Sequence, residues 1–82
     1  MKKKPFEHKL EVLAFICNRW KKGEYTQQID ILDNAETIFN QSTLTSILKD
    51  LIAMGFITYH SSRGKRYYYS TGLTESIFNE ND

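Results

Sequence analysis

Asn40 to Phe56 reads NQSTLTSILKDLIAMGF, and how this stretch folds decides what can be built around it. Leu44, Ile47, Leu48, Leu51 and Ile52 recur at steps of three and four, which places them on one face of a helix. Asn40 stands where a side-chain oxygen caps the orphan amides of a first turn, and Gly55 stands where a helix closes in the left-handed conformation. The spacing predicts a helix over Gln41–Met54. Its opposite face is polar: Ser42, Thr45, Ser46 and Lys49 follow at i, i+3, i+4 and i+7, with Gln41 at the exposed N-terminal end and Asp50 at the margin.

After Gly55 the period drops to two. Phe56–His60 and Arg66–Ser70 are rich in aromatic and β-branched residues, and SSRGK joins them, so a β-hairpin is predicted. Tyr67 and Tyr69 face one way and Tyr68 the other; the set sharing a face with Ile57 and Tyr59 is expected to be structural. Upstream, Phe6, Leu10, Leu13, Ile16, Cys17 and Trp20 mark a first helix that ends near Lys22–Gly23. The region 26–39 fits two arrangements. Thr26 can cap a helix over Gln27–Asn34 carrying Ile29, Leu32 and Ala35 on one face, or Asp33–Glu36 can act as a capping box opening a later helix; the first is favoured. At the other end Thr71 is a candidate cap for a short C-terminal helix bearing Leu73, Ile77 and Phe78, which then frays.

The 82 residues are expected to form one domain over 1–82, with a basic arm at 1–5 and an acidic tail at 79–82. Composition is that of a folded chain, 40% apolar and 26% charged, which argues against disorder. Cys17, within an apolar run, behaves as a small hydrophobe. MKKK is not followed by an apolar core, because Glu7, His8, Lys9 and Glu11 interrupt it, so neither signal peptide nor membrane span is expected and the location is read as cytoplasmic. Charge is segregated: residues 1–22 carry +5, 23–56 carry −4, 57–72 carry +3 and 73–82 carry −3. Such blocks create a local field without a basic overall balance.

STLTSILKDLIAMGFI (Ser42–Ile57) resembles the recognition-helix signature of bacterial winged-helix regulators, and RGKRYYYSTGLTES (Arg63–Ser76) resembles the wing of MarR-like and PadR-like regulators, where a basic turn leads into tyrosines and a Leu-Thr pair. The resemblance spans roughly residues 26–76. It departs from the pattern at Ile38 and Phe39, where a glycine is usual, and at Ser76 and Ile77, where another is missing. It implies an α+β, mainly α, winged helix-turn-helix: three helices, a two-stranded β-hairpin wing and a short C-terminal helix.

For a winged helix the expected ligand is double-stranded DNA, with a homodimer reading two half-sites through contacts near Trp20 or near Ile77 and Phe78. Gln41, Ser42, Thr45, Ser46 and Lys49 would face the major groove, Gln41 suiting adenine and Lys49 suiting guanine or phosphate. Arg63, Lys65 and Arg66 would grip phosphates or the minor groove from the wing. Lys2, Lys3, Lys4 and Lys9 add a candidate basic arm, while Arg19, Lys21 and Lys22 serve the first helix dipole before any phosphate. Plainer roles exist for the same residues: a polar helix face is ordinarily solvated, and cations on a hairpin deter edge-to-edge pairing. His8, His60 and Cys17 lack the paired spacing of a metal site, and no phosphate loop, nucleophile elbow or clustered acid pair occurs, so no cofactor and no enzymatic role are expected. The alternatives are a winged-helix protein-interaction module that docks through the acidic block or the tail, and a plasmid or phage replication or partition factor.

Overall fold

The structure is a computed structural model that describes residues 5–35 and 40–74. Its elements run α1 (Pro5–Lys21), α2 (Gln28–Asn34), α3 (Gln41–Ala53), β1 (Ile57–Ser62) and β2 (Lys65–Ser70). The architecture is α+β and mainly helical, three helices with one antiparallel hairpin. One core of Val12, Leu13, Ile16, Ile31, Leu44, Ile47, Leu48, Leu51, Ile57 and Tyr68 draws on every element.

α1 opens at Pro5, whose missing N–H costs nothing in a first turn. Its buried strip comprises Val12, Leu13, Ile16 and Cys17, whereas Leu10, expected inside, is 41% exposed. At about 100° per residue Leu10 lies roughly a quarter-turn from the centre between Leu13 and Ile16, and Val12 fills the opposite flank. The side chain of Phe6 lies outside the description. The helix closes with Gly23 N–H on the Trp20 carbonyl (2.9 Å) and Glu24 N–H on the Arg19 carbonyl (3.0 Å).

Thr26 is not the cap of α2. It forms an antiparallel bridge to Tyr68 through N–H···O bonds of 3.0 and 2.8 Å, which places the linker after α1 beside β2. Gln27 therefore takes the cap position, and its N–H donates to the Asp30 carboxylate at 2.9 Å. The buried anchor of α2 is Ile31, fully enclosed, with Leu32 and Ala35 partly buried against the core; Ile29 points away and is 56% exposed. Ala35 has extended backbone and its N–H bonds the Ile31 carbonyl, so the favoured helix ends at Asn34; residues 36–39, where the competing capping box would continue, lie outside the described residues.

α3 follows its pattern closely. The Asn40 side chain accepts from Thr43 N–H at 2.8 Å, and Leu44, Ile47, Leu48 and Leu51 are buried while Ile52 packs at the margin. Met54 is the C-cap, Gly55 adopts φ +84°, and Gly55 N–H and Phe56 N–H reach the Ile52 and Leu51 carbonyls, each at 3.0 Å. These paired bonds need the left-handed residue that glycine supplies. Phe56 is thus committed to the helix end, and β1 starts one residue later than expected.

The hairpin is longer and its loop shorter than SSRGK suggests. Pairing runs from Ile57↔Ser70 to Ser62↔Lys65 and leaves only Arg63 and Gly64 unpaired. Both have positive φ, 54° and 77°, as a two-residue turn of the I′ kind demands to match the strand twist. On one hairpin face Ile57 and Tyr68 enter the core, as expected of that set. On the other, Tyr69 packs on Trp20 (4.9 Å between ring centroids) and Tyr25 (5.6 Å), and Tyr67 meets Tyr25 edge-on at 6.1 Å. Aromatic pairs of this kind each add about 0.5–1.5 kcal/mol beyond burial, so the hairpin is held from both sides.

Past β2 the Thr71 hydroxyl donates to the Gly55 carbonyl at 2.7 Å and the buried Thr74 hydroxyl donates to the Phe56 carbonyl, fastening the chain to the end of α3. Residues 72–74 form a helical turn; the remainder of the expected C-terminal helix, with Ile77, Phe78 and the acidic tail, lies outside the described residues. No helix among the described residues is long and apolar enough to cross a membrane.

Candidate nucleic-acid interface

The first turn of α3 and the tip of the hairpin meet across a groove of about 490 Å³. Its lining is Gln27, Gln28, Ile29 and Leu32 from the α2 segment, Gln41 and Thr45 from α3, and Gly64, Lys65, Arg66 and Tyr68 from the hairpin. No carboxylate is among these residues. Amide donors and acceptors occupy two sides and cations the third, a surface suited to phosphate oxygens and base edges.

Two of the three elements, α2 and α3, are joined through one hydroxyl. Gln28 Nε2 donates to Thr45 Oγ1 at 2.8 Å, and that hydroxyl passes its own proton to the Gln41 carbonyl at 2.8 Å. The link ties the start of α2 to the first turns of α3, while the Thr26 bridge ties the same segment to β2. The α2 side of the groove is therefore held to both of its neighbours, to α3 by a side-chain bond and to β2 by paired backbone.

Of the residues expected to face a duplex, Gln41, Thr45, Lys65 and Arg66 line this groove together. Ser42 and Lys49 are exposed on the outer side of α3 and do not line it. Ser46 turns toward α1 and borders a second recess with His8, Lys9, Thr43, Ile47 and Asp50. Arg63 is exposed at the apex of the turn, and the Arg66 guanidinium lies over the Tyr59 ring at 4.7 Å, a cation–π contact. Among the described residues Lys49, Arg63 and Lys65 make no ion pair.

Other charges are committed elsewhere. Asp50 pairs with Lys9 at 3.2 Å, so Lys9 belongs to the α1–α3 contact and the carboxylate at the margin of the polar face is countered locally. Lys2, Lys3 and Lys4 lie outside the described residues. Arg19, expected to serve the helix dipole, is a structural fork: Nε donates to the buried Thr26 hydroxyl at 3.1 Å, and a terminal nitrogen donates to the Tyr25 carbonyl at 2.9 Å and lies 3.6 Å from Asp30. Tyr67 and Tyr69 share their face with Trp20 and Tyr25, so the outer hairpin surface is occupied by the chain's own rings.

Arg63 carries a further signal. An I′ turn favours Asn or Asp before Gly, because few side chains tolerate φ near +54°. Arg63 thus places a cation at the tip of the hairpin at the expense of backbone strain. No family model and no curated protein matches the chain. The site accordingly rests on its own geometry.

Sequence reasoning missed Gln27, Gln28, Ile29 and Leu32 as groove residues. The tandem amides at 27–28 were visible, but only the fold places them opposite Gln41.

Proposed function

We propose that this chain is a winged-helix protein that binds double-stranded DNA sequence-specifically, most simply as a transcriptional regulator. α3 would enter the major groove, and the hairpin would act as a wing on adjacent phosphates. The observation that carries this reading is the common groove, where Gln41 and Thr45 of α3 stand across from Lys65 and Arg66 of the hairpin with no carboxylate among the described residues that line it. Ser42 and Lys49 extend the polar surface of α3, and Arg63 extends the cationic tip. The segregation of charge supports the same orientation, since residues 57–72 contain three basic groups and no acidic one.

A single helix contacts too few base pairs to be selective, so the functional unit is a homodimer on a two-part site. Nuclear magnetic resonance titration with a short duplex tests the reading. The backbone amides of 41–49 and 62–66 should shift together at substoichiometric DNA; shifts confined to α1 or to the acidic segment 23–36, or none at all at low salt, would refute it.

A further inference from the structure

Building on that duplex-binding reading, we infer that the side chains of Gln28 and Ile29 form a second base-reading element, together selecting an A·T pair. Thr45 cannot be the donor its position in α3 suggests, because its only proton goes to the Gln41 carbonyl and it accepts from Gln28. It is a positioning residue. Gln28 is the group so positioned: one amide N–H is spent on Thr45, and the other N–H and the carbonyl oxygen have no partner among the described residues.

A carboxamide fixed at one hydrogen and open at its remaining donor and acceptor matches the N6 donor and N7 acceptor of adenine. Guanine offers two acceptors there and leaves the amide oxygen unsatisfied. Ile29 supplies the other half of the base pair. It is 56% exposed although isoleucine ordinarily lies inside, it is the residue next to Gln28, and it lines the same groove. An exposed branched alkyl group beside an adenine-reading amide suits the thymine C5-methyl, the one apolar feature of the major groove. Gln41, across the groove, has no side-chain partner among the described residues and would read a neighbouring pair in the same manner.

The experiment is selection of duplexes from a randomised pool by the full chain, followed by competition binding on the selected sequence. The wild type should show an A·T requirement at one position that Gln28→Ala loses by roughly ten- to one-hundredfold while other positions hold. Thr45→Val, which frees the amide without removing it, should blur preference at that same position. Replacing the thymine there by deoxyuridine removes only the methyl and should weaken the wild type about fourfold, with no effect on Ile29→Ala. The deoxyuridine arm uses unaltered protein and does not depend on any variant folding. Unchanged preference at every position in Gln28→Ala, or indifference of the wild type to deoxyuridine, overturns the inference while leaving duplex binding intact. Failure of the wild type to bind any duplex overturns the underlying reading as well.

Discussion

Replacing Arg63 by asparagine should move stability and affinity in opposite directions. The native turn holds Arg63 at φ +54° directly before Gly64 at +77°. A left-handed residue with a long side chain costs about 1 kcal/mol, and Asn-Gly is the pair this turn favours, so Arg63→Asn recovers most of that cost. For a domain of this size the gain corresponds to a rise in Tm of about 4–8 °C, read by circular dichroism. The guanidinium is exposed, and no core packing is lost with it. In fluorescence anisotropy with a labelled duplex, loss of one phosphate contact should reduce the log–log salt slope by about 0.9, which across a fourfold salt range is roughly a 3.5-fold change in the wild-type to variant ratio. Adding Lys65→Ala should reduce the slope by about as much again. A Tm that does not rise refutes the account of turn strain; parallel salt slopes refute the account of the tip as a phosphate contact.

Substitutions at three further positions probe the scaffold. Gly55→Ala should destabilise by about 1 kcal/mol in urea unfolding, since an added Cβ meets nothing within 4 Å and only the left-handed backbone is penalised; a neutral result would contradict the helix-end geometry. Arg19→Lys keeps the charge but not the fork, leaving the buried Thr26 hydroxyl and the Tyr25 carbonyl short of donors, and should cost about 2 kcal/mol, whereas a purely electrostatic role predicts almost no loss. Asn40→Ala should cost about 1 kcal/mol and Asn40→Asp little, measured by chemical denaturation; equal losses would mean that acceptance from Thr43 N–H is not what the side chain contributes.

The legible parts of this chain were those where local chemistry and tertiary contact agree. α3 declared itself through its stripe, cap and glycine because all three act within one element. The hairpin was visible from the change of period, yet its two-residue turn was not, since Arg at a left-handed position runs against propensity. α2 was the hardest segment. At seven residues it is too short for periodicity to separate Ile29 from Ile31, and its start is set by the Thr26 bridge to Tyr68, a contact across 42 positions of sequence. The site divides along the same line. Gln41, Lys65 and Arg66 could be nominated from sequence, but Gln28 becomes a groove residue only through its bond to Thr45, and Ser46 turns toward α1 only because of how α3 is rotated in the core.

The packing of Trp20 against Tyr69 gives the molecule its own optical gauge. It is the sole tryptophan, and it sits where the end of α1, the following linker and the second strand converge. Its emission therefore reports on the junction between hairpin and helical body without any attached dye. A bound duplex that levers the hairpin outward would register as a change in quenching and spectral position, whereas rigid engagement would leave the indole silent while anisotropy climbs.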